Sequence, residues 1–456
     1  MRIHVEVPFF ILIFAFSLSD PVTTNLMVYR TCYLTLNYTE EECALLGEGK
    51  HTEETKEMEK AAQPYVTVLH MSKYLIETVL AAIICFFLGP WSDKYGRRPV
   101  MLYTLGGYTV GYIITTIVSA LPNVSPWYLL LSSAPICLFG GFPAYLTVTI
   151  CHMTDSTSLD YRGVRLGIFE ALITTGALLG TVLSSFIFNY YGYLTLYSIT
   201  SLCIFSSWLT VVVAIPESVQ NLEREGKYRN LFKCSLVAES LRATFRRRNG
   251  FDRALLLTLA VLIVVFLLAV TADGGIVFLY LRRKLDWSLE QYTLYHAGRS
   301  LAWICGSLIG GYILHKLLDI PEAILILIGF LCTCGSAIIQ GFATKDWHMY
   351  LAGVSKCFGG VISPMSRSLI SKIVSVEEYG KIFSLIIVTE TIINIIGSPV
   401  YTYIYNKTIL TMPELFCFVT AGIYGFEIIL TIPAIIMQLC RQHEGYELLN
   451  GINSIN

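Results

Sequence analysis

Runs of roughly 20 predominantly apolar residues, the length a helix needs to cross the hydrocarbon core of a bilayer, recur about twelve times along this chain. Their approximate limits are 7–29, 66–88, 99–120, 127–152, 165–188, 195–215, 254–281, 291–314, 321–342, 347–371, 382–405 and 413–439. In hydrocarbon no water pairs with a bare backbone N–H or C=O, so each run must close its own hydrogen bonds as a helix. The chain is therefore expected to be an all-α integral membrane protein, multi-pass in the lipid bilayer, with twelve transmembrane helices. Composition fits, with 54% hydrophobic against 14% charged residues, a balance outside soluble usage. The net charge of −1 gives no basic field suited to nucleic acid. No zinc-spaced Cys/His cluster, phosphate loop or nucleophile–base arrangement stands out, so neither a metal nor an enzymatic activity is expected.

The first run follows Met1 and Arg2 closely, as a secretory signal would. Pro8, Asp20 and Pro21 punctuate it, no small-x-small cleavage site stands out, and apolar character resumes from Leu26 to Tyr29, so it is read as a span. Twelve spans put both termini on one side. With that side inside, 19 Lys and Arg fall on inner segments and 9 on outer ones, which places both termini in the cytoplasm. Arg282, Arg283 and Lys284 dissent locally. Sequons at Asn37, Asn123 and Asn406 all fall on outer segments, and Asn37 is the best placed for glycosylation, since Pro126 follows Asn123 and Asn406 hugs the membrane. Cys32 and Cys43 flank Asn37 in an oxidising compartment, where a disulfide between them is expected over two free thiols. A polar interval after the sixth run divides the chain into an N-terminal half 1–215, a cytoplasmic linker 216–252, a C-terminal half 253–440 and a cytoplasmic tail 441–456. Within the linker, "LFKCSLVAESLRATFRRR" suits either an amphipathic helix at the membrane surface or a solvated basic segment.

The stretch "GPWSDKYGRRP" packs four charges, Asp93, Lys94, Arg97 and Arg98, into the inner turn between spans 2 and 3. A topogenic basic turn would explain Arg97 and Arg98, but neither Asp93 nor Gly89 and Gly96. The spacing G-x-x-x-D-[RK]-x-G-R-[RK] resembles the signature loop of the major facilitator superfamily, whose fold is two pseudo-symmetric six-helix halves. The corresponding turn between spans 8 and 9, "GGYILHKLLD", reads as a decayed copy with His315 in place of the acid. The resemblance implies a gating role for Gly89, Asp93, Gly96, Arg97 and Arg98: Asp93 accepting hydrogen bonds at the start of span 11, with Arg97 pairing nearby to latch the cytoplasmic side.

Ionisable residues deep in spans are costly and mark function by default. Here they are Asp20, Lys73, Glu77, Glu170, Asp273, Arg299, Lys356, Arg367, Glu390 and Glu427, of which Lys73, Lys356 and Glu390 also suit a snorkelling or structurally paired role. "RTCYLTLNYTEEEC", "RLGIFEALITTGALLG", "FLYLRRKLDWSLEQYTLY" and "SPMSRSLISKIVSVEEYGKIFS" resemble solute carrier family 46, which contains the proton-coupled folate transporter, and most of all its invertebrate members. The resemblance implies proton coupling at Glu170 and substrate binding at Arg367, with Asp273 and Arg299 as further candidates for those two roles. The implied activity is proton-coupled symport of a small organic anion by alternating access, with protons as co-substrate and no cofactor beyond the proton gradient. A transporter-shaped receptor or sensor that binds ligand without turnover is the alternative. Departures are visible too: the loop after span 7 lacks the cysteine through which the folate transporter bridges to its first outer loop, and span 5 carries Gly176 and Gly180 but no Gly-Pro pair of the antiporter kind. "YELL" at Tyr446 to Leu449 resembles an endosomal sorting signal, leaving plasma membrane and endolysosome both open.

Overall fold

The computed structural model describes residues 4–47, 53–220, 222–223, 229–287, 289–408 and 411–453. Among these there is no strand. Nine helices are long and apolar enough to cross a membrane: Glu6–Thr35, Ala61–Tyr95, Arg97–Ala120, Pro126–Asp155, Leu159–Ala214, Asp252–Phe278, Glu322–Gly341, Val376–Thr408 and Leu415–Arg441. The fifth of these holds two spans joined at Gly192, whose φ of 71° breaks the helix. Two further helical segments, Leu289–Leu308 with its continuation Ile309–Leu317, and Asp346–Ser355 running through to Ile373, supply spans 8 and 10. They fall short on apolarity because Arg299, Lys356 and Arg367 stand in them. The twelve-helix reading therefore holds, with span numbers as in the sequence.

The described residues form two compact units, residues 1–152 with 175–232, and residues 153–174 with 233–456. In the first unit small residues set the helix spacing, as expected where packing rather than water drives association. A Cβ on Gly180 of span 5 would stand 2.5 Å from the Phe14 carbonyl oxygen of span 1, and one on Gly111 of span 3 would stand 2.7 Å from the Ser132 oxygen of span 4. Arg30, at the C-terminal end of span 1, is buried and donates to the carbonyls of Val118 (2.7 Å), Ser119 (3.1 Å) and Leu121 (2.9 Å). It closes the C-terminus of span 3, where a cation complements the helix dipole, so this charge is structural.

In the second unit span 10 is the polar core. It is interrupted by a tight turn of 3-10 helix at Cys357–Val361, and residues 361–371 are all buried. A Cβ on Gly306 of span 8 would fall 2.0 Å from the Cys357 carbonyl oxygen, so spans 8 and 10 touch backbone to backbone. The linker sequence forms a helix, Cys234–Phe245, of which Leu236, Ser240, Ala243 and Thr244 are buried.

Candidate functional site

The charged stretch after span 2 is less of a loop than its composition suggests. Helix Ala81–Tyr95 runs through Gly89, Pro90 and Asp93, and the next helix starts at Arg97, so the turn is Gly96 alone. Gly96 has φ 106°, open to glycine at little cost, and a Cβ there would meet the Glu217 carboxylate at 2.4 Å. Glu217 follows span 6 and accepts from the backbone N–H groups of Arg97 (2.8 Å) and Arg98 (3.1 Å). A carboxylate thus sits on the N-terminus of span 3, where the unpaired N–H groups and the dipole favour it. Arg97 turns inward: its guanidinium pairs with Asp93 at 2.6 Å, with side chains only 1% and 2% exposed, and donates to Ser92 Oγ at 2.6 Å. Ser92 in turn donates to the Gly89 carbonyl. Arg98 reaches the carbonyls of Val211 and Val212 at the last turn of span 6. All five motif residues therefore belong to one network that fastens spans 2, 3 and 6.

The second constellation lies in the other unit. Arg367 on span 10 uses one terminal nitrogen, NH2, to donate to both oxygens of Glu390 on span 11, at 3.0 and 3.1 Å, and its Nε to donate to Ser363 Oγ at 3.2 Å. Its other terminal nitrogen, NH1, is buried and has no hydrogen-bond partner. Glu170 on span 5 is hydrogen-bonded by the Trp303 side chain and lies within electrostatic range of Arg367 and Glu390. Trp303 is held by the glycines of the 3-10 turn, since a Cβ on Gly359 would clash with its ring at 2.6 Å. A buried guanidinium carrying an unused donor, paired with one carboxylate and within electrostatic range of a second, can take an anion and a proton in the same site. Arg299 is not drawn into this group by any observed contact; its guanidinium lies over the Tyr295 ring, 5.9 Å from the centroid. The side chain of Asp273 lies outside the described residues.

Two other intramembrane charges satisfy each other, whereas Glu427 on span 12 is buried with neither carboxylate oxygen hydrogen-bonded. Lys73 pairs with Glu77 one turn away on span 2, and Ser133 donates to Glu77 at 2.8 Å. In the segment after span 1, Cys32 and Cys43 are joined by a disulfide. Asn37 between them is exposed, with φ 59°, a left-handed conformation that Asn tolerates. Thr39 caps the following helix Glu40–Gly47 with Glu42, whose carboxylate accepts from the Thr39 hydroxyl (2.7 Å) and N–H (3.0 Å). These hydrogen bonds hold the Glu42 carboxyl below its usual range, so the cap is fully present at neutral pH and is lost as acid protonates it.

Residues 67–398 match the family model of the Major Facilitator Superfamily. The chain belongs to the Major Facilitator Superfamily. It is a transporter by family and not an enzyme. Within the superfamily it is similar to the probable peptidoglycan muropeptide transporter SLC46 of Drosophila melanogaster, 29% identical over 434 residues that cover 92% of this chain and 83% of that protein. It is also similar to the lysosomal proton-coupled steroid conjugate and bile acid symporter SLC46A3 of Gallus gallus, 24% identical over 89% of this chain and 88% of that one. These relatives agree with the motif-level resemblance to solute carrier family 46. In fold it is similar to the human organic anion transporter MFSD10 (TETRAN), with a TM-score of 0.73 and 16% identity over 94% of this chain and 97% of that one.

Set in the facilitator fold, two further groups gain meaning that sequence reasoning missed. The turn after span 8 has lost the Gly-Arg-Arg, but His315 is buried and packed: its Nδ1 lies 3.0 Å from the Ile320 carbonyl and its Nε2 3.7 Å from Glu322. Glu322, the first residue of span 9, also binds Lys372 of span 10 and Gln438 of span 12 (2.6 Å). A polar knot thus stands where the sequence shows only a worn copy of the motif. Arg162 donates to the Ser371 carbonyl and the Tyr379 hydroxyl, both at 2.8 Å, and ties the start of span 5 to spans 10 and 11.

Proposed function

We propose that this chain is a proton-coupled symporter of a small organic anion, working by alternating access, with Arg367 as the anion anchor and Glu170 as a proton-accepting carboxyl. The carrying observation is the buried Arg367 guanidinium whose NH1 is unused, with Glu170 within electrostatic range of it. A guanidinium offers planar paired donors to a carboxylate, and a carboxyl in low dielectric is a ready proton site. The substrates for which the relatives are named fit this chemistry, since muropeptides and bile acids both present carboxylates. Asp273 and Arg299 flank the pathway in this reading as secondary candidates, and the Gly89–Arg98 network is its cytoplasmic latch. Both termini face the cytoplasm, Asn37 carries an outer-side glycan, and the working membrane is endolysosomal, in keeping with the lysosomal relative, or the plasma membrane.

In proteoliposomes the parent chain is expected to accumulate N-acetylmuramyl dipeptide or a sulfated steroid faster with the outer pH at 5.5 than at 7.5, and Glu170→Gln is expected to remove that difference. Uptake by parent and variant that ignores pH would end the coupling claim, and binding without accumulation would favour a receptor. For the glycan, Asn37→Gln should run faster on a gel and lose its shift on endoglycosidase treatment; an unchanged band would show that Asn37 is bare.

A further inference from the structure

We propose that Glu390 is an internal stand-in for the substrate's anionic group: it holds Arg367 while the site is empty and gives it up when a proton and a substrate anion arrive together. The inference rests on the reading of Arg367 as anion anchor and names the group that makes the anchor proton-dependent.

The grip of Glu390 on Arg367 is one-sided. Both carboxylate oxygens converge on NH2 at 3.0 and 3.1 Å, while NH1 keeps no partner at all, although the two side chains are only 7% and 6% exposed. The strong form of this contact is a fork on a fork, with two nitrogens facing two oxygens. A substrate carboxylate that takes NH1 and NH2 together makes the better pair, so exchange is favoured once Glu390 can leave.

Charge decides when it can leave. Arg367 and Glu390 cancel, whereas an arriving anion brings one uncompensated negative charge into a buried site, which is costly. A proton on Glu390 removes that charge and also breaks its claim on the guanidinium. One proton therefore enters per anionic group on the ligand. Glu170, within electrostatic range of both partners, is in this reading the carboxyl that accepts the proton first and passes it to Glu390, so Glu170→Gln and Glu390→Gln interrupt the same proton's path. Around this pair, the Asp273 side chain on span 7 lies outside the described residues, Glu427 on span 12 is buried with neither oxygen hydrogen-bonded, Lys356 on span 10 has interactions of its own, and Lys381 on span 11 reaches Glu239 at 3.7 Å.

The test is binding of N-acetylmuramyl dipeptide to the purified full chain in nanodiscs across pH 5.5 to 8, with Arg367→Ala, Glu390→Gln and Glu390→Asp beside the parent. The parent's Kd should weaken toward about tenfold per pH unit at the alkaline end, the slope of one linked proton. Glu390→Gln should bind at pH 7.5 as tightly as the parent at pH 5.5 with no slope, while Glu390→Asp keeps the slope. A slope retained in Glu390→Gln, with binding still dependent on Arg367, overturns this proposal and leaves the anchor standing; binding indifferent to Arg367→Ala overturns the anchor itself. Independently of any ligand, infrared titration of the parent should show a carboxylic-acid band on acidification that Glu390→Gln lacks, and its absence from the parent would also overturn the proposal.

Discussion

Arg367→Ala is expected to lower anion uptake by roughly 30- to 1,000-fold, the equivalent of losing a buried, hydrogen-bonded charge contact of about 2–4 kcal/mol. The loss has two sources that can be separated. Truncation removes the anchor, and it also leaves Glu390 buried without its cation, which by itself destabilises the unit. The double variant Arg367→Ala/Glu390→Gln should regain the parent's thermal stability while staying inactive. Arg367→Lys should keep the protein folded and recover only part of the uptake, because an ammonium cannot present the planar fork. Uptake restored in the double variant would mean that Arg367 serves the fold and does not hold the substrate.

The second large effect is expected at Asp93. Asp93→Asn strands the buried Arg97 charge, a change worth about 3–5 kcal/mol in comparable buried pairs, and should lower thermal stability and transport rate together while leaving substrate affinity near the parent's. Replacing both charges, as Asp93→Asn/Arg97→Gln, should recover most of the stability, since neutral isosteres often serve a buried pair as well. The rate should stay low if the pair works as a moving latch. A double variant that transports at the parent rate would reduce the motif to a structural brace. Glu217→Gln offers a contrast: the amide keeps one accepting oxygen where the carboxylate uses two, one for the Arg97 N–H and one for the Arg98 N–H. It therefore loses one backbone hydrogen bond and the charge at the helix terminus but breaks no buried ion pair, and its effect should be milder.

Span number and type were legible because a bilayer forces each apolar run to close its own backbone hydrogen bonds. The exceptions are instructive. Spans 8 and 10 fall below ordinary apolarity where Arg299, Lys356 and Arg367 stand in them, so the weakest hydropathy coincides with the densest chemistry. The charged stretch at Gly89 to Pro99 looked like a loop because glycine, proline and charge cluster there, yet the helix persists until Gly96. Glu170 and Arg367 were found through family resemblance, and nothing local in the sequence joins them. The pairing of Arg367 with Glu390, 23 positions later, and the capping of span 3 by Glu217 depend on which helix faces which, and a periodicity of apolar residues does not encode that. Glu390 had read as a structurally paired or snorkelling charge, and its pairing is with the anchor itself.

Proton movement driven by substrate tests the central claim most directly. With the parent chain in proteoliposomes carrying an internal pH indicator and no imposed gradient, addition of N-acetylmuramyl dipeptide or a sulfated steroid outside is expected to acidify the lumen, and Arg367→Ala is expected to leave it unchanged. Accumulation of the substrate without any change in internal pH, or acidification that persists in Arg367→Ala, would contradict the account.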